Sequence, residues 1–222
     1  MRSAALAALA VLAVVPAGAM GRASSVEVAV DPGQPETVRA REALAPVGGR
    51  RCTVPENTPL AALLASGPRP GLRDFASCSK RGRDASGLFV NRLAGRSNKG
   101  QDGWVYKIGT KLGTAGAADP SGPFGNGPLR PGTQLLWFYC RLDAATASCQ
   151  RTLHTASRRS GNEVEVTVTA CDDRGRCIPA PAGVTVLGAP VDAAGAVRVA
   201  VPANGRVRAS GPGLVSSFPE RV

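Results

Sequence analysis

The chain has 222 residues and a formal net charge of +11, with 27 lysine and arginine residues against 16 acidic ones. This length suits one large domain or two small ones. The basic residues are scattered, for example at Arg39, Arg158 and Arg206, whereas a nucleic-acid-binding protein gathers them on one element of a recognisable module. The composition therefore argues against a nucleic-acid partner and predicts a solvated basic surface that attracts anionic polymers of the cell envelope.

Residues 1–19 have the pattern of a secretory signal peptide. Arg2 precedes an apolar run over residues 4–15, and the small residues at positions 17 and 19 suit cleavage after Ala19. The alternative is a retained membrane anchor, for which this run is short. Since no other long apolar run follows, we expect a secreted, extracellular protein that can associate with the envelope and has no membrane span after cleavage.

Six cysteines follow the signal, and an even number in an exported chain indicates disulfides. Their order along the chain favours three local bridges, Cys52–Cys78, Cys140–Cys149 and Cys171–Cys177. The second and third bridges would close short polar turns, and the first would enclose a helix. A zinc site is not expected, because the chain has no Cys-x-x-Cys pair and His154 is its only histidine.

The first strand and the helix have local signals of their own. Residues 26–30 alternate apolar and polar side chains, which predicts a strand, and a second extended piece covers about residues 37–44, ended by residues 46–49. Thr58 followed by Pro59 predicts a helix start over residues 58–65, with threonine as the N-cap and proline at the first helical position. Three leucines then share one helical face.

The largest aromatic side chains are concentrated in two strand-like runs, residues 103–109 and 133–140, although aromatic residues make up only 4% of the chain. The first run alternates, whereas the second is apolar on both faces and should be central in its sheet. A loop rich in glycine and proline over residues 111–132 separates them, and loops of that length are usually functional or mobile. Residues 87–93 predict a further strand.

These aromatic side chains form either the core of the domain or a ligand surface. If a ligand binds, we expect it near the first aromatic strand, the polar loop over residues 95–102 and the loop over residues 111–132. The candidate ligand-binding residues are Trp104, Tyr106, Trp137, Tyr139, Asn98, Gln101 and Asp102.

The composition changes after Cys149, where short valine-rich strands follow one another with glycine- and proline-bearing turns between them. They cover residues 163–169, 184–187, 196–201 and 206–209. Such regular short strands predict a small antiparallel β-sandwich. We place the domains at residues 26–157 and 162–222, so the fold class is α+β with one short helix, followed by a sandwich.

The chain lacks the motifs expected of an enzyme. Residues 95–100 have phosphate-loop glycine spacing, but Gln101-Asp102 follow where Lys-Ser/Thr is required. No Gly-x-Ser-x-Gly elbow occurs, and His154 has no catalytic context. Asp172 and Asp173 are expected to form a turn rather than a calcium site. We therefore expect no catalysis and no metal, with a secreted hydrolase as the least favoured alternative.

The first domain resembles the transcobalamin-like C-terminal domain family over residues 26–142. The resemblance is carried by the helix at Thr58–Leu64, by Gly103-Trp104-Val105-Tyr106, and by the ending Leu129 to Tyr139 with its Pro-Gly turn and Trp-Phe-Tyr strand. It implies a β-grasp-like fold. It also implies, as an alternative function, a corrinoid-like small-molecule carrier, since such a domain covers one face of the corrinoid in vitamin B12 carriers. The helical barrel that covers the other face is not expected here, so we expect no bound cofactor, and cobalamin is the alternative.

The second domain resembles transthyretin-like or carboxypeptidase-regulatory-like β-sandwiches in residues 164–168, 182–186 and 191–197. Domains of this type are usually adhesive or spacer modules. Together, the two resemblances and the export signal predict a secreted, non-catalytic binding or interaction protein of the cell envelope. Its partner would be an extracellular ligand or an envelope component that the sequence does not specify.

Overall fold

The computed structural model describes residues 23–74, 78 and 87–222. This part of the chain is mostly β-sheet, with one short α-helix and three disulfides. The signal peptide predicted over residues 1–19 lies outside the described residues.

Up to Cys140, the described elements are β1 (Ser25–Val30), β2 (Glu36–Arg39), β3 (Ala43–Val47), β4 (Arg50–Val54), α1 (Pro59–Ala65), β5 (Gly71–Asp74), β6 (Leu88–Leu93), β7 (Arg96–Ser97), β8 (Gly103–Ile108), β9 (Lys111–Leu112) and β10 (Gln134–Cys140). Strands β1, β2, β8, β9 and β10 form one mixed sheet in the order β2-β1-β10-β8-β9. In this sheet β1 and β10 are parallel and the other pairs are antiparallel. Strand β10 is therefore central, as its two apolar faces predict.

The two faces of this sheet lie in different cores. Val26 and Val28 of β1, with the tryptophan and tyrosine side chains of β8 and β10, face a core that includes the helix. Ala29, Leu136 and Phe138 face the opposite way, into a smaller cluster completed by residues from the C-terminal part of the chain. Each face of the sheet is thus covered by a different part of the protein.

The helix begins as its sequence predicts. The hydroxyl oxygen of Thr58 accepts a hydrogen bond from the amide of Ala61 at 3.2 Å and donates one to the carbonyl of Pro55 at 2.8 Å. Thr58 is fully buried, and Pro59 occupies the first turn. The loop after β9 packs against the same helix start, because Ala117 accepts a hydrogen bond from the amide of Leu60 at 2.7 Å.

The extended piece predicted over residues 37–44 is two strands rather than one. The chain leaves the sheet after β2, where the fully buried Ala40 bonds to Ser24 and Asn57 through its backbone. Strand β3 then pairs with β4 and continues through Pro46 to Val47. Proline is tolerated because this ladder has only two strands. The turn falls at Gly48 and Gly49, which both have positive φ as a tight hairpin turn requires.

After Cys140 the described strands are β11 (Thr152–Ser160), β12 (Glu163–Cys171), β13 (Cys177–Pro179), β14 (Thr185–Val186), β15 (Ala189–Pro190), β16 (Ala196–Ala200), β17 (Arg206–Val207), β18 (Ala209–Ser210) and β19 (Glu220–Arg221). Strand β12 pairs with β11 along its whole length and with β13 and β16 on its other edge. Inward valines of β12 pack against Val184, Val186 and Val207 in a third core.

Residues 157–162, where we place the domain boundary, lie in the hairpin between β11 and β12. Leu153 of β11 already packs in the same core as Val164 and Val166 of β12. His154 lies exposed on β11, opposite Thr169. The strand β11 thus belongs by its contacts to the C-terminal unit, although its sequence lacks the regular valine alternation that marks β12.

The disulfides are Cys52–Cys78, Cys140–Cys149 and Cys171–Cys177, the three local bridges that their order in the chain predicts. Disulfides form and persist in oxidising compartments, so they indicate an extracellular environment. Within the described ranges, none of the helical structure is long and apolar enough to cross a membrane.

Replacing Thr58 by alanine should lower the free energy of unfolding by about 1–2 kcal/mol, because the N-cap bond and the bond to Pro55 are both lost at a buried site. Thr58→Ser is the matched control, since it keeps the hydroxyl and should retain most of the stability. Urea denaturation with the disulfides intact measures both. Equal losses in the two variants would instead assign the effect to packing of the threonine methyl group.

Candidate functional site

A groove lies where β8 and the loop over residues 95–102 meet two disulfide-closed turns. Its first part, about 770 Å³, is lined on one side by that loop and on the other by Cys149 and Asp173. A second part of about 850 Å³ continues along the two turns and shares Cys149 and Asp173 with the first. A third part, about 360 Å³, meets the first at Trp104 and the second at Arg141. We call these three parts together the junction groove.

The far wall of the junction groove is held by covalent and hydrogen bonds. Cys140–Cys149 and Cys171–Cys177 each close a short turn. Asp143 and Asp172 accept hydrogen bonds from backbone amides of their own turns at 2.8 and 2.9 Å. The two turns are joined by Asp173, whose carboxylate accepts a hydrogen bond from the amide of Cys149 at 2.8 Å. The wall is therefore preformed, which lowers the entropy lost on binding.

Behind this wall, a buried ion pair connects the first sheet to the C-terminal unit. Lys107 of β8 is fully buried, and its Nζ lies 3.2 Å from Oδ1 of Asp173. Burial lowers the pKa of Lys107 from its ordinary value, and the facing carboxylate of Asp173 opposes that shift. The backbone carbonyl of Asp173 also accepts a hydrogen bond from the amide of Leu112 at 3.0 Å. Asp173 thus connects the sheet, both turns and the groove.

The aromatic candidates lie in the core rather than on an open platform. Trp137 is 1% exposed and packs against Tyr106 with ring centroids 5.3 Å apart. The Tyr106 hydroxyl donates a hydrogen bond to the carbonyl of Ala115 at 2.8 Å, and its ring leaves no room for a side chain at Gly113. Burial raises the pKa of Tyr106 well above its ordinary value. These two aromatic side chains anchor the loop over residues 111–132.

The other two aromatic candidates lie at the edge of the groove and are still mostly covered. Trp104 is 8% exposed, and its indole N–H donates to the carbonyl of Arg96 at 2.8 Å. It meets Tyr139 edge to face at 5.7 Å. The Tyr139 hydroxyl donates to the carbonyl of Ser97 at 3.1 Å. Both residues thus hold the loop over residues 95–102 against the sheet, and little of either ring is exposed to the groove.

The three polar candidates all line the first part of the groove, but two of them have structural partners. The Asn98 side chain donates to the carbonyl of Val90 at 3.0 Å and accepts from the amide of Trp104 at 3.0 Å. Asp102 accepts from the amide of Leu142 at 2.9 Å. Gln101 is exposed to the groove. The structure therefore brings these residues together, with Gln101 best placed to touch a ligand.

Sequence reasoning missed the charged residues on the other wall. Arg141 and Arg174 are exposed and line the second part of the groove. The hydrogen bonds and ion pairs of the described residues leave both guanidinium groups unpaired. A sequence signal was present for Arg174, which lies between Cys171 and Cys177 in a turn that the cysteines predict. Nothing in the sequence places Arg141 opposite it, because that depends on the docking of two separate turns.

No protein-family model, curated protein or solved structure matches this chain. We therefore base the proposed function of the protein on the geometry of the junction groove and the chemistry of its walls.

Trp104→Ala should destabilise the protein by about 3–5 kcal/mol, because it leaves a cavity and removes the hydrogen bond to Arg96. Gln101→Ala, at the exposed position nearby, should change the free energy of unfolding by less than about 0.5 kcal/mol. Chemical denaturation followed by circular dichroism measures both. A Trp104→Ala protein as stable as the wild type would show that this tryptophan is a surface side chain.

Removing either partner of the buried ion pair should lower the free energy of unfolding. Lys107→Met leaves the Asp173 carboxylate without its cation, and Asp173→Asn leaves a buried ammonium group, so each should cost about 3–5 kcal/mol. The double variant should cost clearly less than the sum of the two single changes, because no unpaired buried charge is left. Additive losses in this double-mutant cycle would mean that the two charges do not interact.

Proposed function

We propose that this protein is a secreted, non-catalytic binding module that holds a component of the cell envelope in the junction groove. The main observation that supports this proposal is the groove itself. Its two larger parts, about 770 and 850 Å³, have the size of ligand sites. They share one wall that two disulfides and a buried ion pair hold in place. A site that exists before the ligand arrives is what a binding protein needs.

The arrangement of the first sheet supports a β-grasp-like domain of the transcobalamin-like type. The first and last strands, β1 and β10, are parallel neighbours, and the chain between them supplies the helix, the inner strand β8 and the edge strands β2 and β9. The strands after Cys149 enclose a separate valine-rich core, which supports a transthyretin-like or carboxypeptidase-regulatory-like sandwich. On this proposal the sandwich supplies one wall of the groove through the turn at residues 172–176.

The proposed location follows from the export signal and the disulfides. Residues 1–19 have the charge, apolar run and small residues of a cleaved signal. Three disulfides need an oxidising compartment. A basic protein released there meets anionic envelope polymers first, and its net charge, which is +11 for the full chain and +10 once the proposed leader with Arg2 is removed, favours the encounter.

Sedimentation with an insoluble envelope fraction tests the proposal. Gln101→Trp fills the first part of the groove and Thr146→Trp fills the second, and each should reduce the bound fraction by at least about tenfold through steric exclusion. Thr167→Trp is the matched control, because Thr167 is exposed on the outer face of β12, away from the groove, and it should bind as the wild type does.

Wild-type binding by both groove-filled variants would overturn the proposal. Purified protein should also remain colourless, and its tryptophan fluorescence should be unchanged on addition of cobalamin. Saturable quenching by cobalamin would favour the corrinoid carrier instead, since Trp104 lies at the groove edge.

A further inference from the structure

We infer that the ligand of the junction groove is a linear phosphate-bearing polymer, held by arginine side chains from both disulfide turns. This inference rests on the proposed function and names the ligand class of the same site. Six arginines line the three parts of the groove: Arg73, Arg96, Arg141, Arg151, Arg174 and Arg176.

The acidic residues of the groove are already engaged within the protein. Asp31 pairs with Arg208 at 3.0 Å, and Asp173 pairs with Lys107. Asp172 accepts hydrogen bonds from two backbone amides and from the Arg176 side chain. The remaining two, Asp102 and Asp143, accept hydrogen bonds from backbone amides. Lys107 and Arg208 do not themselves line the groove, so its six arginines face only three acids that lack such an outside cation, and the groove carries a net positive charge.

Several guanidinium groups have donors left for a ligand. Those of Arg141 and Arg174 are unpaired in the described parts of the chain. The Arg96 guanidinium lies over the ring of Tyr139, 3.4 Å from its centroid. Such a contact uses the face of the guanidinium and leaves its N–H donors at the edge. Arg96 and Arg141 line the third part of the groove together, and Arg141 and Arg174 line the second.

A linear ligand follows from the continuity of the groove. The second part shares Arg141 and Gln150 with the third, and it shares Leu112, Ala147, Cys149 and Asp173 with the first. All three parts contain arginine: Arg73 lines the first, Arg96 the third, and the other four line the second, where Arg141 also reaches the third. A single small anion would reach the arginines of one part, whereas a chain with regularly spaced charges can reach Arg96, Arg141 and Arg174 in two adjoining parts.

Phosphate groups suit these walls better than sugar rings or carboxylates. A neutral glycan needs aromatic faces to stack on, but Trp104 and Tyr139 are only 8% and 9% exposed, and Arg96 covers one face of the Tyr139 ring. Guanidinium groups bind phosphate through two parallel hydrogen bonds. A tetrahedral phosphate presents oxygens in several directions, so arginines from two turns can contact neighbouring groups of one chain.

Arginines elsewhere on the surface are arranged differently. On the outer face of the C-terminal unit, Arg158 of β11 and Arg198 of β16 lie on either side of Glu165 of β12 in the strand register. Arg198 approaches Glu165 at 3.9 Å. Charges there offset one another across the strands. The groove differs because two of its acids, Asp31 and Asp173, pair with cations that do not line it.

Fluorescence anisotropy with end-labelled inorganic polyphosphate as the probe tests the inference. The wild-type affinity should fall at least about tenfold between about 50 and about 300 mM salt, because each contact is screened. Arg141→Glu/Arg174→Glu should weaken binding by at least about tenfold. Arg50→Glu/Arg51→Glu, in the exposed β3–β4 hairpin outside the groove, loses the same formal charge and should weaken binding by less than about threefold.

Three results would overturn the inference: no polyphosphate binding by the wild type, equal losses in the two double variants, or equally tight binding of a polycarboxylate of similar length such as polygalacturonate. The envelope sedimentation assay keeps this outcome separate from the proposed function. If Gln101→Trp abolishes sedimentation while Arg141→Glu/Arg174→Glu leaves it unchanged, the groove binds a ligand that is not this polymer. If Gln101→Trp and Thr146→Trp both sediment normally, the groove is not the binding site and both statements fail.

Discussion

The whole arrangement depends on the need to cover both faces of one strand. Every residue of β10 from Leu135 to Cys140 is buried. One face meets the helix-containing core and the other meets a cluster completed by Val215 and Phe218. Burying a large apolar side chain contributes about 1.5–3 kcal/mol, so a first domain with one face open to water would lose several such contributions. The C-terminal unit therefore covers the second face of the first sheet and shields it from water.

Charged pairs surround this apolar contact and orient it. Arg206 pairs with Glu27 at 2.7 Å and Arg208 pairs with Asp31 at 3.0 Å on the β1 side of the contact, while Lys107 pairs with Asp173 on the β8 side. Apolar packing alone tolerates sliding, whereas a buried ion pair is costly unless its geometry is kept. The pair at Lys107 matters most for the shape of the groove, because Asp173 also holds both turns that form its far wall. Its position makes the shape of the groove depend on correct docking of the two units.

Much of the local structure could be predicted from residues that act on their near neighbours. Thr58 and Pro59 mark the helix start, because capping involves only the next three residues. Alternation predicts β8 and β12, and Pro131-Gly132 predicts the turn before β10, where Gly132 has φ of 78°. The split between β2 and β3 was missed, because it depends on Ala40 bonding to Ser24 and Asn57, which are distant in sequence.

The sequence by itself determined that the chain has local disulfide pairs, short strands and a central apolar strand, since each of these is encoded within a few residues or in composition. Only the tertiary structure decided that Trp137 and Tyr106 are core, that Lys107 is buried, and that Arg141 and Arg174 line one groove. The physical reason is that burial and charge pairing depend on which surfaces meet. Lys107 has the same sequence pattern as a solvated strand lysine until Asp173 is brought against it.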